Sequence, residues 1–342
     1  MPDPEPAVVT AMRQFKQGLL LREAAQMQEM ARRWLQVEQS LEAQIAALTG
    51  ELAAMKAAGE TVSRAKLYQL DRYKRLLAQT QAEFQQYAAW AEGEIKRGQA
   101  EMARLGLAHS AQAIQLSYWP HVGVYFDRLP IAAVEKMVGL AGNGRPVGEL
   151  LKLRMVRGAD GRPLPEVWER LTETLINGTA LGWNPRKTAG KLKNDLTGGL
   201  NKAMVIARTE QLRVYREVSR EQYEASGVVR SQKRLSAHDG WVCGACLASD
   251  GRVYPLGAVI PDHPQGRCAS VPLVEDVPET TWTAGEDWFK QQPPAVQQSI
   301  LGRETYTAWK DGKFEFGALT THTHHEVWGG GVQVTPLGQL VA

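Results

Sequence analysis

The feature that most constrains the fold is an apolar stripe at helical spacing in the first third of the chain. Its members lie three or four positions apart: Met27, Met30, Trp34, Val37, Leu41, Ile45, Leu48, Leu52 and Met55. Such spacing puts the apolar side chains on one helix face, and a second, weaker stripe runs from Leu70 to Leu116. Because Gly59 interrupts the pattern and Ser63 can cap a helix, we predict an antiparallel hairpin of two long helices within residues 11–120.

Composition narrows the class of protein. The 342 residues are 44% hydrophobic and 23% charged, which excludes a wholly disordered chain and a collagen-like one. No run of about 18 apolar residues is present, and residues 1–10 lack the basic and apolar regions of a signal peptide. We therefore predict no membrane contact, synthesis in the cytosol, and a disordered segment at residues 1–10.

Turn signals and apolar patterns divide the rest of the chain. Residues 121–277 form the predicted second domain, which is helical over 166–226 and then rich in short β-like runs. Residues 278–342 form a predicted tail with one helix, from Gly285 to Leu301, and a glycine-rich end. The expected fold class is α+β and mostly α, with the long helical hairpin followed by a compact α+β domain that contains a cysteine knuckle.

All three cysteines of the chain lie close together, and a histidine lies between the second and the third. Cys243, Cys246, His263 and Cys268 have the spacing C-x2-C-x16-H-x4-C. A C-x2-C turn places two thiolates where both can reach one zinc ion, and the other two residues complete a closed tetrahedral site. The pattern predicts a structural zinc ion. Three reduced thiols, a Cys243–Cys246 disulfide and a redox pair remain as alternatives.

A cationic segment in the middle of the chain is a candidate anion contact. Asn184 can cap a helix that starts at Pro185. Four cations occupy its first turns: Arg186, Lys187, Lys191 and Lys193. A cationic helix start can hold an anion, and residues 121–230 carry 18 Lys+Arg against 12 Asp+Glu, a net charge of +6. These cations are candidate contacts to phosphate or to an acidic protein, with an ordinary solvated helix start as the alternative.

The remaining polar motifs give weaker indications of a functional site. Arg208 and Glu210 are too close in sequence to pair on a helix, and their spacing by itself favours a solvated, ion-paired face. His322, His324 and His325 are adjacent, but they lack the carboxylates and helix pattern of a metalloprotease. The sequence has no phosphate-binding P-loop, dinucleotide glycine pattern or nucleophile elbow, so it predicts no catalytic set.

Taken in order, these motifs resemble those of the phage Mu F-like family of minor head proteins, also called the phage head morphogenesis domain. The resemblance covers about residues 125–275. It is carried by segments in this order: Leu181–Leu192, Ala207–Glu210, Ser226–Gly227, His238–Asp239, Cys243–Cys246, Asp250–Gly251 and Pro261–Cys268. The family ends this stretch with two late cysteines, and Gly266 stands here at the first of those positions.

The resemblance implies a non-enzymatic structural protein inside the head of a tailed phage or prophage, made in the bacterial cytoplasm. Such proteins lie at the portal, contact portal and other head proteins, and are linked to head assembly, DNA packaging or DNA delivery. It also implies that Arg208 and Glu210 are buried and paired, and we expect Arg208 to hold the loops around Asp239. The hairpin is then an interaction arm, and the cationic segment a contact to packaged double-stranded DNA or to the portal.

An enzymatic alternative remains at this stage. His238 and Asp239 beside the cysteine knuckle are loosely similar to treble-clef nucleases, and this alternative predicts a zinc-supported nuclease acting on phage or host DNA. Metal-dependent cleavage would then be lost on His238→Ala.

Overall fold

The computed structural model describes residues 5–118, 125–156, 165–325 and 328–341, and 66% of these described residues are helical. The helices are α1 (Ala7–Ala57), α2 (Arg64–Gln69), α3 (Asp71–Ser117), α4 (Ile131–Glu135), α5 (Val147–Leu151), α6 (Pro165–Ala180), α7 (Pro185–Ala225), α8 (Gly244–Ala248), α9 (Gly285–Gln291), α10 (Pro294–Leu301), α11 (Arg303–Lys310) and α12 (Leu337–Leu340). A π-helical turn (Lys152–Val156) follows α5, and a 3-10 turn (Phe316–Leu319) follows α11. No described helix has both the length and the apolar character needed to cross a membrane.

The strands are β1 (Val229–Leu235), β2 (Val253–Pro255), β3 (Ala269–Val274), β4 (Thr320–His325) and β5 (Gly329–Val334). They form an antiparallel sheet in the order β2-β1-β3 and a separate β4-β5 hairpin. The predicted fold class, α+β and mostly α, is confirmed.

The predicted hairpin of long helices is also present. Gln26 Nε2 donates to Glu94 O at 2.9 Å, and Gln79 Nε2 donates to Ser40 O at 2.8 Å, so α1 and α3 run antiparallel. Between them, Gly59 has a φ of +78°, a value that glycine adopts at little cost. Ser63 caps α2, as its type and position suggest.

The described chain divides into two compact units that cut across the expected domains. Unit 1 comprises Met1–Arg22, Arg97–Gly144 and Arg208–Ala342, and unit 2 comprises Glu23–Lys96 and Arg145–Ala207. The expected boundary near residue 120 lies outside the described residues, and the expected boundary at 277 lies within unit 1.

In unit 2 the helical hairpin is not a separate arm. Trp34 packs on Phe84 and edge-on against Tyr87, with ring centroids 5.2 and 4.9 Å apart. Gly199 of α7 lies against the Trp34 and Phe84 rings, and Thr172 of α6 bonds the hydroxyl of Tyr73 of α3 at 2.7 Å. A helix pair has little interior of its own, so α6 and α7 supply the apolar surface that closes this core.

In unit 1 the N-terminal segment is ordered from Ala7, where disorder was expected for residues 1–10. Val8 and Val9 are buried, and with Met12 they pack in one cluster with Leu235 of β1 and Val271 of β3. The described part of that prediction is therefore wrong. The physical reason is that the apolar pair follows the proline-rich stretch directly and covers one face of the sheet.

The C-terminal segment is also more ordered than the single helix predicted for residues 278–342. Pro293 and Pro294 split the expected helix into α9 and α10, and α11, the β4-β5 hairpin and α12 follow. Their apolar residues form one core cluster with the cysteine knuckle: Val242, Cys246, Leu247, Cys268, Phe289, Leu301, Phe316, Leu319 and Leu340. The tail is an integral part of unit 1 because its side chains bury the knuckle.

Candidate metal centre

Four backbone segments of unit 1 bring the cysteines and the histidine together. Cys243 caps α8, and its Sγ accepts a hydrogen bond from the backbone N–H of Cys246 at 3.4 Å. Cys268 lies directly before β3, whose pairing sets Arg234 of β1 opposite Ser270. His263 lies in the loop between β2 and β3. Residues 261–267 of that loop are called the ligand loop below.

Cys243, Cys246 and His263 form the first group of donor atoms. The Nε2 atom of His263 lies 3.5 Å from Cys243 Sγ and 3.3 Å from Cys246 Sγ. Nδ1 lies 2.8 Å from the carbonyl oxygen of Pro264, so it carries the proton and donates. This bond orients the ring and directs Nε2 at the two sulfurs, as in metal-bound histidines.

The distances in this group fit a tetrahedral metal. With metal–sulfur bonds of about 2.3 Å and metal–nitrogen bonds of about 2.1 Å, the nitrogen–sulfur edge of a tetrahedron is about 3.6 Å. The observed values of 3.3 and 3.5 Å lie within a few tenths of an ångström of that edge. The group of Cys243, Cys246 and His263 can therefore hold a metal ion, and Cys268 lies in the same cluster beside Cys246.

Cys268 belongs to a second group that shares Cys246. Among the described residues, the donor atoms of Cys246, Asp262 and Cys268 lie within 4.8 Å of one another, and so do those of the first group. The four ligands predicted from the sequence do not form one such group. Cys268 Sγ is therefore farther than 4.8 Å from the donor atom of Cys243 or of His263.

The buried guanidinium of Arg234 contacts every member of the second group. Its Nη2 donates to Cys246 Sγ at 3.5 Å, to Cys268 Sγ at 3.3 Å and to Asp262 Oδ1 at 3.3 Å. Its Nη1 donates to the carbonyl oxygen of Pro261. Because Arg234 is fully buried, its charge needs these partners, and the side chain joins β1 to the ligand loop.

Asp262 is the anionic centre of this network. Burial disfavours its charged form, but Arg216 and Arg234 outweigh that effect and hold the pKa of the Asp262 carboxyl below its usual value. Arg216 Nη1 lies 3.1 Å from Asp262 Oδ2. The carboxylate also accepts the backbone N–H of His263 at 2.9 Å, which fixes the start of the ligand loop.

Protonation of the cluster links metal binding to pH. A hydrogen bond with Cys246 raises the pKa of His263 to about 9, so the metal-free imidazole is protonated at neutral pH. A hydrogen bond with Cys246 and burial also raise the pKa of Cys268, whereas a hydrogen bond with Cys246 lowers the pKa of Cys243. A metal must displace the proton of His263, so its affinity falls as the pH falls.

Helix α7 holds the ligand loop from the other side. Arg208 Nη1 donates to Gln265 Oε1 at 3.3 Å, and Thr209 Oγ1 accepts the backbone N–H of Gln265 at 3.1 Å. Two turns further on, Arg216 Nη1 donates to Gly266 O at 2.8 Å. Gln265 has a φ of +63°, a conformation that non-glycine residues rarely adopt, so these contacts stabilise a strained turn.

Asp239 pairs with an arginine of the ligand loop. Its carboxylate accepts two hydrogen bonds from Arg267, at 2.9 and 3.0 Å, a bidentate pair. Arg208 contacts Gln265 of the same ligand loop. The expectation that Arg208 holds the loops around Asp239 stays a prediction.

Glu210 is completely buried, whereas Arg208 is only half-buried. Arg213 Nε donates to Glu210 Oε2 at 2.8 Å, and its Nη1 donates to Glu217 at 2.6 Å. This pairing of residues three and four apart on α7 compensates the buried carboxylate.

His238 lies in a structural network with both ring nitrogens engaged. Nε2 lies 2.9 Å from Asp250 Oδ2, and Nδ1 lies 3.3 Å from Arg13 Nη2. Since a guanidinium can only donate, Nδ1 accepts and Nε2 carries the proton. Asp250 also accepts from Ser236 N at 2.6 Å and from Trp282 Nε1 at 3.0 Å. The arrangement ties α1 to the sheet and leaves neither nitrogen free for a metal or a substrate.

The cationic segment lies in unit 2. Asn184 Oδ1 accepts the backbone N–H of Lys187 at 2.8 Å, which makes it the cap of α7 predicted from the sequence. Arg186, Lys187 and Lys191 are exposed, and Lys193 pairs with Glu42 at 3.3 Å.

Exposed histidines lie on the β4-β5 hairpin of unit 1. His322 and His324 are both exposed, and neither belongs to a metal-binding group of described residues.

A pocket of about 830 Å³ adjoins the ligand loop within unit 1. Its walls include Arg213, Arg216 and Arg220 of α7, apolar residues such as Leu140 and Val259, and the glycines of β5. Asp262, His263 and Cys268 also line it, so solvent reaches the edge of the cluster.

Sequence reasoning missed two members of this centre. Asp262 precedes His263, but a single carboxylate in a proline-rich turn has no distinctive signal. Arg234 lies in a strand with polar neighbours, and nothing in its spacing marks it as buried. Its role depends on β1–β3 pairing, which joins segments about 35 residues apart.

Comparison of the chain with protein-family models, with curated proteins and with solved structures found no match.

Proposed function

We propose that this chain is a non-enzymatic structural protein of a tailed-phage or prophage head, located at the portal inside the head. The observation that carries the proposal is the convergence of its motifs. The Pro261–Cys268 stretch contains the ligand loop. Three motifs that are distant from it in sequence contact it: Arg208, Asp239 and the cysteine knuckle. This convergence supports a scaffold role for the motif residues.

The cluster in this proposal binds one zinc ion that stabilises unit 1. Two thiolates and an imidazole are ligands that zinc favours, and the nitrogen–sulfur distances suit its tetrahedral geometry. Zinc supplies bonds between the knuckle and the ligand loop, which the hydrophobic cluster around Phe289 then covers. The protein's own residues orient the ligands through Pro264 and Asp262.

The environment of His238 supports a scaffold over a nuclease. A nuclease of the treble-clef kind needs a histidine that can take a proton or hold a metal. Both nitrogens of His238 are used by Arg13 and Asp250, and its ring stacks on Trp288 with centroids 5.1 Å apart. These contacts suit a residue that joins segments of the fold.

The proposed partners are the portal protein, other head proteins and packaged double-stranded DNA. The exposed cations Arg186, Lys187 and Lys191 supply a candidate contact to phosphate or to an acidic portal surface. Removing them by substitution with glutamine should lower affinity for DNA and flatten its salt dependence, if DNA is the partner. Portal binding that is lost without any change in DNA affinity would assign the segment to the portal instead.

The test is mass spectrometry with metal analysis on purified phage particles, or on particles from an induced prophage of the source. The proposal expects the protein in DNA-filled heads, at low copy number relative to the main shell protein, and one zinc per chain in the isolated full-length protein. Its presence in infected cells together with its absence from particles would contradict the virion role. Metal-dependent DNA cleavage lost on His238→Ala would support the nuclease instead.

A further inference from the structure

The metal centre contains two overlapping groups of donor atoms, and one of them is already occupied by a cation. Cys246 belongs to both groups, Cys243 and His263 to the first alone, and Cys268 to the second alone. Arg234 Nη2 lies within 3.5 Å of one donor atom from each residue of the second group. A guanidinium nitrogen therefore occupies the place that a metal ion would take there.

This position of Arg234 separates Cys268 from the first group. In a tetrahedral site with three sulfurs and one nitrogen, every pair of donor atoms is about 3.6–3.8 Å apart. Cys268 Sγ lies more than 4.8 Å from the donor atom of Cys243 or of His263. It accepts a hydrogen bond from Arg234 at 3.3 Å. Joining the metal would require Cys268 to move by about 1 Å. That movement would weaken one of the hydrogen bonds that compensate the buried charge of Arg234.

We propose that a metal bound here has three protein ligands, Cys243, Cys246 and His263, and that its fourth position takes a small external donor. Arg234 is the positioning residue that keeps Cys268 out of the coordination sphere. This inference rests on the metal centre of the proposed function, but not on the phage-head role.

Access and charge define the class of donor. Cys243 and His263 are only partly buried, and His263 lines the large pocket of unit 1, so a small molecule can reach the metal. The two positive charges of a divalent metal ion and the two negative charges of the Cys243 and Cys246 thiolates cancel. Within the ion-paired group beside the metal position, Arg216 and Arg234 exceed Asp262 by one unit of positive charge. The site therefore favours a small anion, such as hydroxide, a thiolate or a carboxylate.

The test uses the full-length chain loaded with Co2+, whose absorption reports the number of bound thiolates and the presence of external ligands. Cys268→Ala should keep one Co2+ per chain and leave the sulfur-to-metal charge-transfer absorbance unchanged. The matched variant Cys243→Ala should lose about half of that absorbance or more, as expected for two thiolates. Added azide, as a probe anion, should shift the visible bands of the parent protein.

Arg234→Met gives the opposite expectation. With the guanidinium removed, Cys268 becomes the fourth ligand, so the charge-transfer absorbance should rise by about half and the azide response should disappear. If this variant does not fold, Cys268→Ala and azide decide the question in the parent protein.

Two results would overturn the inference. A loss of about a third of the absorbance in Cys268→Ala would mean three thiolate ligands, and unchanged bands with azide would mean a closed site. Either result leaves a zinc-stabilised fold intact. A parent chain that binds neither Zn2+ nor Co2+ would overturn both this inference and the metal centre of the proposed function.

Discussion

Two adjacent glycines of α7 allow a direct test of how the helical hairpin is packed in unit 2. Both lie in the interior of one helix, and neither has a positive φ. A Cβ atom added at Gly199 would lie 3.0 Å from Cη2 of Trp34 and 3.2 Å from Cε2 of Phe84. A Cβ atom at Gly198 would meet only the end of the Arg170 side chain, at 3.9 Å. The pair therefore separates backbone propensity from contact with the hairpin.

The magnitudes follow from two opposing effects. Alanine is better than glycine inside a helix by about 1 kcal/mol, so Gly198→Ala should raise the free energy of unfolding by about that amount. Gly199→Ala has the same gain in propensity, but the two aromatic rings must shift, and overpacking of a core costs about 1–3 kcal/mol. Its net effect should lie between neutral and a loss of about 2 kcal/mol, and the two variants should differ by about 1–3 kcal/mol.

The assay is urea unfolding of the full chain, followed by tryptophan fluorescence and by far-ultraviolet circular dichroism. Trp34 lies at the contact, so its fluorescence should change in folded Gly199→Ala and remain unchanged in folded Gly198→Ala. Equal stabilisation by the two substitutions would refute the packing of the hairpin on α7. The hairpin would then be free to act as the separate interaction arm expected from the sequence.

Three further outcomes follow from the charges and ligands of unit 1. Removal of the metal with a chelator should lower the melting temperature, and Cys243→Ala should remove most of that chelator effect, as measured by differential scanning fluorimetry with and without zinc. Burial disfavours the charged form of Asp250, but hydrogen bonds from His238 and Ser236 outweigh burial, and the pKa of Asp250 is lowered. The charged carboxylate therefore stabilises the fold fully above the pKa of the unfolded chain, near 3.8, and this stabilisation is lost as the pH falls through the folded-state pKa. Asp250→Asn should thus lower the free energy of unfolding far more at pH 6 than at pH 3, as measured by urea titration. Burial lowers the pKa of His109 to about 4, so between pH 6.5 and 4 the unfolded chain binds a proton that the folded chain does not. The free energy of unfolding should therefore fall as the pH drops over this range, and His109→Gln should reduce that fall.

The sequence predicted the elements whose pattern is local. The stripe from Met27 to Met55 specifies one face of α1, and the cap at Ser63 marks the start of the next helix, because both depend on neighbours within a turn or two. The spacing of Cys243 and Cys246 likewise predicted a knuckle. These features need no knowledge of distant contacts.

The sequence could not predict features that depend on distant partners. The order of Val8 and Val9 comes from a sheet more than 220 residues later. Arg234 is buried only because strand pairing carries it to the ligand loop, and Asp239 pairs with Arg267 because the same loop folds back. A local pattern holds no record of such pairings, so the second donor group was missed and Cys268 was assigned to the first.

The chain order of the two units has a consequence for biosynthesis. All segments of unit 2 are complete once residue 207 has left the ribosome, whereas unit 1 needs residues 208–341 as well as the segment that begins with α1. Val8 and Val9 therefore lack the sheet that completes their burial until β1 and β3 have been translated. Contacts of such long sequence separation close slowly. We expect a ribosome stalled just after unit 2 to carry a protease-resistant unit 2 and a protease-sensitive N-terminal segment.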